Sequence, residues 1–225
     1  MNFRKLLTIL AAATIGLSGV AYANPIIRLT SGMASATVAD GDGNDICGSV
    51  GCVTYSGPLN DWIVNVTTGI GTPPLGPKPH LDLNSVNVSN AGTGLGTSIL
   101  LELTQTGFTD SIGSIAQFLG EIGGTLAPLG LIEWYVYVDT TNAAFGTGSL
   151  LASGSANTSP FAAVDAGSIL LTGPYSMTLA VRITHADGVR STSFDFSGRL
   201  VPEPGTLLLI GAGLLALGLA RRKVS

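Results

Sequence analysis

The sequence predicts an all-β protein whose body is an antiparallel β-sandwich of the immunoglobulin-like or jelly-roll type. Apolar and β-branched runs alternate at short intervals with clusters of Gly, Pro, Asn, Asp and Ser, which is the pattern of strands joined by turns. The chain also contains 31 glycines and 11 prolines. Because these residues are the poorest helix formers, a helical bundle is disfavoured.

Several runs alternate with a period of two, as strands do when one face lies in a core and the other in water. Trp134 and Val136, for example, alternate with Tyr135 and Tyr137. The predicted strands are Ile26–Thr30, Val50–Tyr55, Trp62–Thr67, Leu81–Val88, Ser98–Thr104, Leu131–Val138, Ser149–Ser153, Ser176–Thr184 and Ser191–Leu200.

The segment Ser111–Ile122 is ambiguous. Ile112, Ile115, Phe118 and Leu119 fall on one face at a helical spacing, but glycines within and after the segment weaken a helix. A short helix and an irregular strand both remain open there.

The charge of the body excludes one class of partner. Charged residues make up 11% of the chain, against about 25% in an ordinary soluble domain. Residues 24–201 hold five basic and 13 acidic residues, a net charge of −8, with no Lys/Arg cluster. Because a nucleic-acid partner requires cations that contact phosphates, we expect none.

The N-terminus has the pattern of a signal peptide. Arg4 and Lys5 precede an uncharged apolar run that ends in Ala21-Tyr22-Ala23, and small residues at these last positions suit a signal peptidase. We therefore assign residues 1–23 to a signal peptide that is cleaved before Asn24, and residues 24–200 to the exported body.

The C-terminus has the pattern of a short membrane anchor. An uncharged run from Thr206 to Ala220 is followed by Arg221, Arg222 and Lys223. As a helix the run would rise about 22 Å against roughly 30 Å of hydrocarbon, so it spans only if basic side chains snorkel. The positive-inside rule keeps the basic end cytoplasmic, which places the body in the periplasm.

Residues 201–225 also carry a recognisable order. Pro202-Glu203-Pro204 precedes the Gly-rich apolar run, and Arg221 and Arg222 lie near the chain end. This order resembles the PEP-CTERM sorting signal of Gram-negative bacteria that make exopolysaccharide. The resemblance implies recognition by an exosortase through the Pro-Glu-Pro triplet, removal of the tail, and transfer of the body to the cell surface or extracellular matrix.

The two cysteines, Cys47 and Cys52, are predicted to form a disulfide because the chain is exported. Just before them, Asp40, Asp42, Asn44 and Asp45 place four oxygen-bearing side chains within six residues. Oxygen ligands suit calcium, but the EF-hand pattern is matched only in part. A calcium site and a solvated acidic turn are therefore the two alternatives, and no other cofactor is expected.

Tyr135 and Tyr137 share one strand face and are candidates for stacking on sugars, although such a pair can also cap a core. We find no nucleophile elbow. His80 and His185 both adjoin turn-like sequences, which favours exposed or edge positions. Glu102 and Glu133 lie in predicted strands, but the sequence does not bring them together as a glycosidase pair.

We therefore expect an exported protein without enzymatic activity, processed by an exosortase, with a structural or adhesive role associated with exopolysaccharide. The first alternative is a calcium-assisted carbohydrate-binding module. The second is a secreted hydrolase of unrecognised type.

Overall fold

A computed structural model describes residues 24–90, 98–186 and 188–201. These residues form twelve strands and no helix. The strands are β1 (Ile26–Ser31), β2 (Ala34–Ala39), β3 (Cys52–Leu59), β4 (Trp62–Ile70), β5 (His80–Asn90), β6 (Ser98–Phe108), β7 (Ile115–Thr125), β8 (Leu131–Asp139), β9 (Ser149–Ala156), β10 (Phe161–Leu170), β11 (Tyr175–Thr184) and β12 (Arg190–Val201).

The strands form two six-stranded sheets, and every pairing is antiparallel. The first sheet has the order β2-β1-β6-β11-β8-β9, and the second has the order β10-β7-β12-β5-β4-β3. The predicted all-β sandwich is therefore confirmed.

The topology decides between the two predicted types of sandwich. β5 pairs with β12, β6 with β11, β7 with β10, and β8 with β9. This nested pairing is that of one long hairpin rolled over on itself, and it defines a jelly roll. β1 and β2 extend the first sheet beside β6, and β3 and β4 extend the second sheet beside β5.

The core lies between the sheets and is rich in aromatic side chains. Trp134 of β8 meets Phe196 of β12 edge to face, with ring centroids 5.6 Å apart. Tyr175 lies between Phe108 and Phe118 at centroid distances of 5.6 and 5.9 Å. The Trp134–Phe196 and Tyr175–Phe118 pairs join the two sheets, because their partners come from opposite layers, whereas Phe108 and Tyr175 are neighbours within the first sheet.

All nine predicted strands are present, and the ambiguous segment is resolved as a strand. Residues 115–125 form β7, in which Ala116 and Phe118 face the core while Ile115 is exposed. The helical alternative for Ser111–Ile122 is therefore wrong. β2 and β10 were not predicted.

The predicted signal peptide (residues 1–23), apolar segment (Thr206–Ala220) and sorting residues lie outside the described residues. Among those that are described, none belongs to a helix long and apolar enough to cross a membrane.

Candidate functional site

The outer face of the first sheet carries the two tyrosines that the sequence singled out. Residues of β8 alternate, so Trp134 and Val136 are buried while Tyr135 and Tyr137 are half-buried on the outer side. The two tyrosine rings stack on each other, with centroids 5.9 Å apart and planes inclined by 21°. They therefore belong to the outer surface and do not cap the core.

The tyrosines line a cavity of about 310 Å³, and its other lining residues come from two neighbouring strands and one loop. In the strand register, Ala180 of β11 lies opposite both Glu102 of β6 and Tyr135 of β8. The lining residues are Leu100, Glu102, Tyr135, Tyr137, Thr147, Ala180 and Arg182.

Glu102, one of the lining residues, forms an ion pair with Arg28. Arg28 of β1 donates two hydrogen bonds to Glu102, from Nε to Oε2 at 2.6 Å and from the terminal nitrogen to Oε1 at 2.9 Å. The hydrogen bonds to Glu102 raise the pKa of Arg28, although burial acts in the opposite direction. The Arg28 guanidinium also lies 4.0 Å from the centre of the Phe145 ring, a cation–π contact that fixes its plane.

The loop of residues 140–148, between β8 and β9, contributes Thr147 to one wall of the cavity and is held by hydrogen bonds. Asp139 Oδ1 accepts bonds from the backbone N–H and the hydroxyl of Thr141, both at 2.7 Å. Asn142 Oδ1 accepts from Gly107 N–H at 2.8 Å, and Phe145 N–H donates to Thr104 Oγ1 at 3.1 Å. The wall is therefore preorganised.

The tyrosine hydroxyls remain protonated donors at neutral pH. Burial raises the pKa of both Tyr135 and Tyr137, with smaller contributions from the nearby carboxylates Glu133 and Glu102 respectively. The Tyr135 hydroxyl donates to Glu133 Oε1 at 3.3 Å. The site thus combines aromatic faces with hydroxyl donors and charged groups, the combination found in polar-ligand sites.

The structure confirms the predicted disulfide. Cys47 and Cys52 are bonded, with their Cα atoms 5.9 Å apart. The bridge ties Cys47, in the loop between β2 and β3 that also contains the acidic turn, to the first residue of β3.

The carboxylates of the acidic turn hold the backbone of that loop. Asp45 Oδ1 accepts from the N–H groups of Cys47 and Thr54, both at 2.9 Å. Asp42 Oδ2 accepts from Ala39 N–H at 2.9 Å, and Asp40 Oδ2 accepts from Gly51 N–H at 2.6 Å. This arrangement gives each of the three carboxylates a backbone partner.

No group of three or more His, Cys, Asp or Glu side chains is placed to hold a metal ion within the described ranges. Calcium at Asp40, Asp42, Asn44 and Asp45 stays a prediction. In the first sheet, β2, which ends beside this turn, lies four strands away from β8, or about 19 Å at the usual strand spacing. The turn and the tyrosines are therefore separate sites.

The remaining candidates fall in different places. His80 is half-buried, whereas His185 is fully buried, so the predicted exposed or edge position is wrong for His185.

Glu102 and Glu133 lie on the two strands that flank β11, but Glu102 uses both carboxylate oxygens on Arg28. The sequence did not indicate Arg182 as a residue of the tyrosine site, because its place beside Tyr135 and Tyr137 depends on the strand order, which cannot be read from the sequence.

Residues 200–223 match a family model described as the PEP-CTERM protein-sorting motif. The chain carries a PEP-CTERM sorting motif. This match confirms the resemblance seen at Pro202-Glu203-Pro204 and Arg221-Arg222, and it establishes an exported protein. No curated protein matches the sequence.

Solved structures with a similar fold include two adhesin domains and a carbohydrate-binding module. The adhesin domain of Epf from Streptococcus pyogenes has 12% identity over 80% of the PEP-CTERM chain and 60% of its own, with a TM-score of 0.44. The K1 cleaved adhesin domain of Lys-gingipain from Porphyromonas gingivalis is 11% identical, and the match covers 68% of the PEP-CTERM chain and 99% of the adhesin domain, with a TM-score of 0.33.

The third is a family 11 carbohydrate-binding module from Clostridium thermocellum, solved with a mixed-linked tetrasaccharide. It has 11% identity over 80% of the PEP-CTERM chain and 96% of its own, with a TM-score of 0.32. At these identities the likeness concerns the fold alone.

Proposed function

We propose that this PEP-CTERM protein is processed by an exosortase and displayed outside the cell, where its jelly roll acts as a non-enzymatic adhesin that binds exopolysaccharide. The observation that carries the binding proposal is the stacked pair Tyr135 and Tyr137, which lines a polar cavity on the outer face of the first sheet.

Sugar recognition follows from the chemistry of this cavity. The C–H faces of a pyranose ring pack on aromatic rings, while its hydroxyls need hydrogen-bond partners at the ring edge. Tyr135 and Tyr137 offer the first, and the exposed guanidinium of Arg182 and the hydroxyl of Thr147 beside them offer the second. A cavity of about 310 Å³ is at the lower end of the range for small-ligand sites, which suits a short stretch of a glycan.

The fixed wall favours binding as well. Ordering a loop on association costs free energy, so a loop that is already ordered leaves more of the contact energy for affinity. Residues 140–148 are tied to β6 through Asn142 and Phe145 before any ligand arrives. Binding without catalysis is supported by Glu102, since both of its oxygens are engaged by Arg28.

A double substitution tests the binding site. We expect Tyr135→Ala with Tyr137→Ala to weaken retention of the host exopolysaccharide by about 5- to 150-fold, because loss of two stacking rings costs roughly 1 to 3 kcal/mol. The measurement is the affinity of the purified full-length protein, kept in mild detergent, for exopolysaccharide immobilised on a surface. The control is Tyr55→Ala, a tyrosine on β3 in the second sheet. Unchanged retention in the double variant contradicts the proposal.

The sorting residues give a second test. We expect Glu203→Ala to leave the C-terminal tail uncleaved in the host, because the family motif implies that an exosortase reads Pro202-Glu203-Pro204. Mass spectrometry of the released and cell-bound protein measures the C-terminal mass. Ser225→Ala is the control, since it lies beyond the matched residues 200–223. Normal release of the Glu203 variant argues against exosortase processing.

A further inference from the structure

We infer that the tyrosine site selects glycans that carry carboxylate groups, namely uronic acids, and that Arg182 is the residue that binds the carboxylate. This inference rests on the proposed glycan binding at Tyr135 and Tyr137 and adds the ligand class.

The first step is that Arg28 and Glu102 neutralise each other. Their two hydrogen bonds, at 2.6 and 2.9 Å, form the bidentate geometry in which a guanidinium matches a carboxylate. The side chain of Glu102 is only 6% exposed. Glu102 therefore presents neither an open acceptor nor an uncompensated charge to a ligand.

The second step is that Arg182 brings a positive charge that is still open. Its side chain is exposed and lines the same cavity as the tyrosines. Burial raises the pKa of both tyrosines, and the nearby charge of Arg182 offsets a small part of that rise. Within the described part of the chain, the Arg182 guanidinium has no hydrogen-bond or ion-pair partner. Its N–H donors are available to a ligand.

Glu133 forms no ion pair with Arg182, although the two residues lie opposite each other across β11 and β8. Glu133 Oε1 accepts the hydrogen bond of the Tyr135 hydroxyl at 3.3 Å. The cavity therefore offers one unpaired cation beside a stacking surface.

A uronic acid matches this arrangement. Its ring presents a C–H face, and its carboxylate projects from the ring edge, so a ring packed on the tyrosines directs the carboxylate sideways. A planar carboxylate accepts two parallel bonds from a guanidinium. The body as a whole is acidic, with a net charge of −8 over residues 24–201. Selectivity for an anionic sugar must therefore arise from contact at Arg182, since long-range attraction is absent.

The experiment compares two probes that differ only in charge. Oligogalacturonides and their carboxyl-reduced counterparts share one backbone, and both are titrated into purified full-length protein in mild detergent. We expect the acidic form to bind about tenfold more tightly. Arg182→Gln should abolish this preference, because it should lower affinity for the acidic form about tenfold more than affinity for the reduced form, whose hydroxyls an amide can still bond. Arg199→Gln, which removes the same charge from the second sheet, should keep the preference.

Equal affinities for the two probes, or a preference that survives Arg182→Gln, would overturn the inference while leaving glycan binding intact. A sulfated galactan that competes as well as the uronate would overturn the carboxylate assignment. If neither probe binds, uronate selection is wrong. Retention of exopolysaccharide, compared between wild type and the double tyrosine variant, then decides separately whether the proposed function stands.

Discussion

Replacing Gly124 with alanine is expected to destabilise the jelly roll severely, whereas the same replacement at the neighbouring Gly123 should change stability little. A Cβ at Gly124 would overlap the carbonyl oxygen of Ser193 and would lie 2.8 Å from the Cα of Phe194. Both atoms belong to the backbone of β12, which pairs with β7 from Ser193 to Val201. A backbone held in a central ladder cannot move aside as a flexible side chain can.

The nearest atom to a Cβ on Gly123 is the carbonyl oxygen of Phe161 at 3.6 Å, which is an ordinary van der Waals contact. Neither glycine has a positive φ angle, so alanine is compatible with the backbone conformation at both. The two variants therefore isolate the steric effect within one strand.

We expect Gly124→Ala to lower the free energy of unfolding by at least about 3 kcal/mol, as severe overpacking does. For a domain of this size the thermal midpoint should fall by roughly 10 °C. Gly123→Ala should change the free energy by less than about 1 kcal/mol. Thermal and urea unfolding of both variants make the comparison, and similar stabilities for the two would refute the packing argument.

The same glycine packing explains why β7 was ambiguous in the sequence. In the sequence these glycines indicate only that a helix is weakened, but a Cβ on Gly120 would lie 2.7 Å from Cγ2 of Val136 in the opposite sheet. Gly120 is thus a contact between the layers. A sequence shows that a glycine is present but not which neighbour requires it.

The two strands that the sequence did not predict are edge strands. β2 borders the first sheet and β10 borders the second. β10 has a weak alternation, because Val164 is 63% exposed and Leu170 is 55% exposed, and β2 consists mostly of small or polar residues. Interior strands bury one full face and therefore alternate clearly, which is why all of those except β7 were predicted.

The site was predictable to the extent that it depends on one strand. The period of two places Tyr135 and Tyr137 on the same face, as the structure shows. The Arg28–Glu102 pair and the position of Arg182 depend on the order β1-β6-β11-β8. That order comes from the rolling of the long hairpin, and local sequence does not reveal it.

His185 is the clearest wrong prediction, because its turn-like surroundings suggested an exposed ring. Its side chain is completely buried and lies against Trp62, with ring centroids 4.8 Å apart. Asn90 Oδ1, which also accepts the N–H of Arg190 at 3.0 Å, lies 3.1 Å from Nδ1. Since that oxygen can only accept, Nδ1 carries the proton of the neutral ring.

The other ring nitrogen is then an acceptor. Nε2 lies 2.8 Å from the hydroxyl of Thr192, which donates to it, and the same hydroxyl oxygen accepts the N–H of Ala127 at 3.1 Å. Each polar atom of this buried network has a partner only while the imidazole is neutral. Protonation of Nε2 forces the Thr192 hydroxyl to turn away.

The protein should accordingly lose stability between about pH 6.5 and pH 4 through His185. Burial, with a smaller contribution from the charge of Arg190, lowers the pKa of His185 from 6.5 to about 4. The unfolded chain therefore takes up the proton first as the pH falls. The contribution of His185 is fully present above pH 6.5, declines below it, and is exhausted near pH 4, for a total of about 3 kcal/mol.

Urea unfolding at a series of pH values measures this loss. His185→Gln should be less stable than wild type at pH 7, because the buried network is broken, but its stability should fall much less between pH 6.5 and pH 4. His80→Gln is the control. Burial lowers the pKa of His80 as well, but its ring is only half-buried, so this variant should retain most of the wild-type pH dependence. Identical pH profiles for wild type and His185→Gln would show that another group dominates acid unfolding.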